Sequence, residues 1–184
     1  MQEKSEFNQY WYSSKTIDTI INEVKRIGSK RTAFLSTPTL WKAAIHNGID
    51  GDLFDIDQSF KSMSDSEKNR FIHYDFRRPT HVGNYQYDLV IIDPPFITQE
   101  VIIAYSQTYK SISQSSDTPL IISSIHENLQ VLQSAFGAKI IRPVCYHPCI
   151  PSLVYQYTLF VNYDSDHSSF FANENLELNG GHLL

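Results

Sequence analysis

The run Leu89-Val90-Ile91-Ile92, closed by Asp93-Pro94-Pro95-Phe96, constrains this chain more than any other segment. Four apolar residues in a row, with no polar alternation, describe a strand covered on both faces, as parallel strands between layers of helices are. Two successive prolines then fix the backbone and remove two amide donors, so the strand must stop there. Comparable short runs recur, and residues 31–36, 52–57, 70–76, 88–93, 119–123, 139–142 and 153–162 read as strands. Helical stretches lie between most of them. Ile17, Ile20, Ile21, Val24 and Ile27 recur at helical spacing, with Thr16 ahead as a cap and Gly28 beyond as a stop. Thr37 is placed to cap a helix whose first residue is Pro38, where a missing amide hydrogen costs nothing, and Gly48 ends it. Further helical stretches are expected over 58–64, 98–112 and 127–136, the last ended by Gly137. Strands alternating with helices predict a doubly wound α/β fold, a mostly parallel seven-stranded sheet with helices on both faces and the last two strands antiparallel.

At 184 residues the chain has room for one domain, expected over 1–165, with a loose Ser/Asn/Glu-rich tail over 166–184. No apolar run is long enough to span a membrane, and the first residues have no signal-peptide core. Two cysteines in a chain of this length argue against a disulfide framework and for a reducing, cytoplasmic setting. Lys and Arg number 15 against 20 Asp and Glu, a net charge of −5, which argues against strong non-specific nucleic-acid binding and is compatible with a basic protein substrate.

In an open parallel sheet, ligands bind beyond the carboxyl ends of the strands, near the point where strand order reverses. The first four strands carry polar groups there: Ser36-Thr37, Asp55 with Asp57, Asp75 with Phe76, and Asp93. The first strand–helix turn has no Gly-x-Gly-x-x-Gly pattern, so a pyrophosphate cannot approach its backbone and a dinucleotide is excluded. A helix N-terminus still suits a single carboxylate. Asp55 or Asp57 can accept two ribose hydroxyls, Asp75 an adenine amino group, and Phe76 can pack on the ring. An adenosine with an amino-acid tail fits such a rim, and that ligand is S-adenosylmethionine. In Asp93-Pro94-Pro95-Phe96, the Asp93 carboxylate and the Pro94 carbonyl can converge as acceptors on one amine. Phe96 offers a flat wall for a planar base or for the stem and cationic head of a lysine.

This tetrapeptide resembles the (Asp/Asn)-Pro-Pro-(Tyr/Phe) motif of class I amino-methyltransferases. The resemblance extends to one branch, first named as adenine-specific DNA methyltransferases and now understood as elongation factor 1-alpha lysine methyltransferases. It runs through Phe7-Asn8-Gln9-Tyr10-Trp11-Tyr12-Ser13, Leu35-Ser36-Thr37-Pro38-Thr39-Leu40, Phe54-Asp55-Ile56-Asp57, Phe71-Ile72-His73-Tyr74-Asp75-Phe76 and Tyr157-Thr158-Leu159-Phe160-Val161-Asn162-Tyr163. It implies a Rossmann-like class I methyltransferase fold, S-adenosylmethionine as cofactor and elongation factor 1-alpha as protein substrate. It also implies roles for individual residues. Ser36, Thr37, Asp55, Asp57, Asp75, Phe76 and Asp93 would surround the cofactor, while Asp93, Pro94, Pro95 and Phe96 would face the acceptor amine. Gln9, Trp11 and Tyr12 would lie over the site as part of an N-terminal cover over 7–15. The stretch 142–152, with Cys145-Tyr146-His147-Pro148-Cys149, departs from the branch's pattern and bears on the acceptor.

Two other readings are open at this point. One is methylation of the exocyclic amine of adenine in DNA or RNA, which needs base extrusion and a phosphate-binding surface. Lys25, Arg26, Lys30 and Arg31 form the one modest basic cluster. The other is a non-catalytic scaffold that binds S-adenosylmethionine for an active partner. Cys145, His147 and Cys149 supply three metal-ligand types in five residues, but structural zinc takes four ligands at paired spacing, so no metal is expected.

Overall fold

The computed structural model describes residues 3–64, 68–78, 86–137, 141–151, 153, 156–164, 168 and 170. Its seven strands are β1 (Thr32–Leu35), β2 (Gly51–Asp55), β3 (Phe71–His73), β4 (Leu89–Ile92), β5 (Leu120–Ser124), β6 (Arg142–Pro143) and β7 (Thr158–Val161). They form one sheet in the order β3-β2-β1-β4-β5-β7-β6. The first five pair in parallel, and β7 runs antiparallel to both β5 and β6. Helices α1 (Ser14–Ile27), α2 (Pro38–His46), α3 (Gln99–Ile112) and α4 (Leu129–Phe136) complete the predicted α/β architecture. Among the described residues no helix is long and apolar enough to cross a membrane.

The unalternated apolar runs have the expected cause. Along β4, Leu89 and Ile91 join one core cluster with Ile20, Val24 and Trp41, contributed by α1 and α2. Val90 and Ile92 join a second cluster with Ile102, Tyr105 and Leu132, contributed by α3 and α4. Each strand side chain is therefore buried whichever way it faces, at about 25 cal/mol per Å² of apolar surface removed from water.

Helix ends follow local chemistry, with two departures from expectation. Ser13, not Thr16, caps α1, its hydroxyl accepting from the Thr16 amide at 3.2 Å, so the helix begins a turn before the apolar periodicity does. Thr37 occupies the N-cap position of α2 without making the cap bond, and its hydroxyl, in a residue 2% exposed, has no partner. Gly28 ends α1 in the left-handed conformation as predicted, its amide donating to the Val24 and Lys25 carbonyls. The helical stretch expected after β2 is a 3₁₀ helix, Gln58–Met63. Two residues of the tail expected from 166 are described. Phe170 is fully buried and tilts against Tyr146 at 6.3 Å, and Ser168 is buried too. The rest of 166–184, like residues 139–140 of the expected sixth strand and Tyr155, lies outside the described residues.

Gly51 opens β2 where the chain passes closest to β1. A Cβ there would stand 2.5 Å from the Thr32 carbonyl oxygen and 2.7 Å from the Phe34 ring. Gly51→Ala is therefore expected to lower stability by about 1–3 kcal/mol, the usual cost of overpacking, read from the midpoint of urea unfolding.

Candidate active site

The sheet order reverses between β1 and β4, which pair in parallel from Thr32 with Leu89 to Leu35 with Ile92. A crevice opens beyond the carboxyl ends of such neighbours, and Ser36 and Asp93 stand at its two sides. The Asp93 amide donates to the Leu35 carbonyl (3.1 Å) and the Ser36 amide to the Phe54 carbonyl (2.8 Å), so the strand tips are held in register. Ser36 takes φ 56°, a left-handed conformation uncommon for a residue with a side chain. Its hydroxyl lies 2.6 Å from that of Tyr105 on α3. The turn that lacks glycines thus bends by straining a serine.

Ser36, Thr37, Asp55, Asp93, Pro94 and Pro95 line a cavity here, roofed by residues 7–11 and closed at one side by Ile150, Leu153 and Tyr157. Two acceptors in residues that line it are buried without partners, the Thr37 hydroxyl and the side-chain carbonyl of Gln9. The Trp11 indole N–H is likewise buried and unpartnered. Unpaired buried polar atoms are uncommon in proteins, and three of them in residues around one cavity make it the candidate place for a polar ligand.

The roof is fastened to the floor by polar contacts. Lys4 pairs with Asp57 at 2.8 Å, and the Gln9 amide donates to the same carboxylate at 3.3 Å. The Asn8 amide donates to the Pro95 carbonyl. Tyr12, expected among the cofactor contacts, does not line the cavity. Its ring is buried in the core, and its hydroxyl is one of the groups that hold the Asp93 carboxyl down. Ser123, at the tip of β5, donates to Asp93 as well.

Three carboxylates at the strand tips titrate differently because their surroundings differ. Burial pushes Asp55 up to about 6, aided by the neighbouring Asp57 charge and opposed by backbone donors. Burial also pulls Asp57 upward, but donors from Lys4, Ser59 and Gln9 outweigh it and hold its carboxyl below the ordinary range. Asp93 rises to about 6, chiefly through burial, with the Ser123 and Tyr12 hydroxyls opposing the rise.

Asp75 and Phe76 stand apart from this cavity. Asp75 forms an ion pair with Arg77 at 2.9 Å, which holds its carboxyl below the ordinary range. Phe76 stacks on Tyr105 and meets Phe96 edge-on at 6.5 Å. Phe96 itself is 50% exposed beyond the Pro-Pro corner. The loop that carries Cys145, His147 and Cys149 is tied to the start of α1: the Ser13 amide donates to the Cys149 carbonyl (2.8 Å), and the Cys149 amide to the Thr16 hydroxyl (2.9 Å). No group of three metal-ligand side chains comes together among the described residues. Ser123 escaped the sequence reading because a serine ending an apolar strand carries no signal of its partner 30 residues away.

Among known proteins, the family described as probable N6-adenine methyltransferase matches residues 3–165. A Drosophila melanogaster protein named protein-lysine N-methyltransferase CG9154 is 31% identical over 117 residues, which are 55% of this chain and 50% of that protein. Proteins named EEF1A lysine methyltransferase 1 from Gallus gallus and Homo sapiens are 25% and 24% identical over 174 residues, covering 90% of this chain and 78% and 77% of theirs. The fold is similar to that of an O-methyltransferase family protein from Burkholderia thailandensis (TM-score 0.52, 10% identity, 81% of this chain and 55% of that one). It is also similar to that of the N-methyltransferase NodS from Bradyrhizobium japonicum (TM-score 0.50, 9% identity, 82% and 95%). At such identities the likeness to these two structures is one of fold.

Proposed function

This chain belongs to the family described as probable N6-adenine methyltransferases, and from that premise we propose that it is an S-adenosylmethionine-dependent protein-lysine N-methyltransferase acting on translation elongation factor 1-alpha. The observation that carries the reading is the corner at the tip of β4. There a half-buried carboxylate and two proline carbonyls offer acceptors, and the prolines bring no backbone donor, at the reversal point of a methyltransferase-like sheet. That corner already takes one N–H donor, the Asn8 amide on Pro95. A lysine acceptor is supported by relatives named for protein-lysine methylation in several animals and in Dictyostelium. Three of the four cations in the basic cluster that an adenine acceptor's nucleic acid would use are engaged internally: Lys25 donates to Asn47, Arg26 pairs with Glu23, and Arg31 pairs with Asp52. A cytoplasmic location accords with that substrate.

The residues present fit the cofactor. Thr37 and Gln9, whose hydroxyl and carbonyl have no partner, line the cavity, Asp55 and Asp57 are carboxylates suited to hydroxyl donors, and α2 begins at the same wall. When bound, S-adenosylmethionine supplies a methyl group on a positively charged sulfur. Asp55 and Asp57 would hold its ribose hydroxyls, while Thr37 and the first turn of α2 would receive its amino-acid tail. Ser36 and Gln9 would complete that enclosure, with Trp11 above. Asp75 and Phe76 would border the adenine end only after the Asp75–Arg77 pair opens.

On the acceptor side, an ammonium has no lone pair, so a lysine of intrinsic pKa ~10.4 must shed its proton before it can react. Tyr10, Trp11, Ile150, Leu153 and Tyr157 exclude water from the amine and so favour its neutral form. An ionised Asp93 favours the charged form instead, so its task is to accept an N–H from the amine, with the Pro94 carbonyl, and aim the lone pair. Pro95 stiffens the corner, and Phe96 would flank the lysine stem.

The test is to incubate the purified chain with methyl-labelled S-adenosylmethionine and, in parallel, elongation factor 1-alpha, total cell protein, DNA and RNA. Label on a lysine of the elongation factor is the expected result. Label on adenine, or binding of the cofactor without transfer to any acceptor, would overturn it.

A further inference from the structure

We propose that Ser123 is a positioning residue for Asp93, its hydroxyl holding the carboxylate at the head of the acceptor corner, with the Tyr12 hydroxyl as a second influence on the same group. This rests on the lysine-methylation reading for its purpose, though not for its geometry. Ser123 is 1% exposed in a strand whose preceding residues are Leu120, Ile121 and Ile122. A buried hydroxyl with nothing to bond would be a liability there, and this one is spent on Asp93 Oδ1. Tyr12, in the segment that leads into α1, also favours the ionised form of that carboxylate. It is anchored by its neighbour Ser13, whose amide is held by the Cys149 carbonyl.

A carboxylate offers about four lone-pair sites. The Ser123 donor occupies one of them and leaves room for an amine N–H while restraining how the carboxylate is turned. The clamp also has an electrostatic side. Burial, Ser123 and Tyr12 are the influences on Asp93's titration, and no lysine, arginine or histidine takes part among the described residues. The other titratable groups around it are acidic or phenolic: Asp55 at the end of β2, Tyr105 on α3, and Tyr157 next to Tyr12. None of these favours a charged Asp93. The two hydroxyls alone oppose its protonation, and without either one the carboxyl is neutral over more of the physiological range.

The experiment compares Ser123→Ala, Tyr12→Phe and Ser123→Thr with the parent chain. Carboxyl-carbon NMR on the protein alone follows the titration of Asp93, with Asp93→Asn assigning the resonance and Asp55→Asn separating the second group that titrates near the same pH. Asp93 is expected to titrate about one pH unit higher in Ser123→Ala and in Tyr12→Phe, and to return toward the parent value in Ser123→Thr. In methylation assays the rate ratio of parent to Ser123→Ala should then shrink about fivefold between pH 6 and pH ~8.5, with cofactor affinity unchanged. An unmoved Asp93 titration in either folded hydroxyl-deletion variant, or a rate ratio constant across pH, overturns the clamp. A parent chain that methylates nothing, while Asp93 shifts as stated, overturns the lysine reading and leaves the clamp standing.

Discussion

Asp93→Ala is expected to lower the turnover of lysine methylation by about 10²–10³-fold while the cofactor's dissociation constant changes by no more than about threefold, as for loss of one preorganised acceptor at the reacting centre. The substitution removes the one ionisable acceptor in the Pro-Pro corner and leaves Thr37, Asp55, Asp57 and Gln9 untouched. Equilibrium binding of the cofactor and single-turnover kinetics separate the two quantities. Asp93→Asn keeps a carbonyl oxygen for Ser123 and for the amine, so it should retain more activity than alanine. Its pH profile should also be simpler. With Asp93 titrating at about 6, the slope of log kcat/KM against pH steepens from about one to about two on the acid side, because the amine and the carboxyl must both be deprotonated. The asparagine variant should keep a slope of about one throughout. Near-parent turnover in Asp93→Ala would remove Asp93 from the chemistry.

The second large effect lies at the opposite rim of the sheet. Asp52, fully buried at the start of β2, takes ion pairs from Arg31 (3.0 Å) and Arg70 (2.6 Å) and the Tyr87 hydroxyl at 2.6 Å. Those partners stand just before β1, β3 and β4, so one carboxylate ties together the starts of four parallel strands. Asp52→Ala removes the carboxylate that two guanidinium groups and a buried phenol share. Breaking a buried pair costs about 3–5 kcal/mol, and the partly exposed arginines reduce this to about 2–4. For a chain of this length that lowers the melting temperature by roughly 5–15 °C. Activity assayed well below the transition should survive, since the cluster lies a strand's length from the cavity. Burial raises the Asp52 carboxyl, but Arg70, Tyr87 and Arg31 outweigh it, so its folded pKa lies below the ordinary value. A depressed carboxylate contributes its stability above the unfolded pKa and loses it as pH falls through the folded one. The stability gap between the parent and Asp52→Asn should therefore be full at pH 7 and close progressively below about pH 4. A gap that persists unchanged at low pH would show that packing, not charge, is what Asp52 supplies.

Much of the fold and part of the site were legible beforehand because they follow from local order. Unalternated apolar runs report two-sided burial wherever the partners come from, so the parallel strands and the covering helices could be read directly. The Asp93-Pro94-Pro95-Phe96 corner is likewise local, since prolines act on their own backbone. Gly28 ends α1 by its own conformational freedom. What tertiary structure decided is which polar groups meet. Asp52 reads as an ordinary strand residue until β1–β4 align and bring Arg31, Arg70 and Tyr87 to it. Ser123 finds Asp93 only because β5 lies beside β4, and Asn8 reaches Pro95 across 87 positions. Thr37 takes the cap position and leaves its hydroxyl to the cavity, which propensity could not foresee. A pattern of apolar residues records how deep each side chain must go, because water penalises any exposed hydrocarbon alike. A hydrogen bond depends on direction and on one particular partner, and only the completed packing of distant segments supplies both.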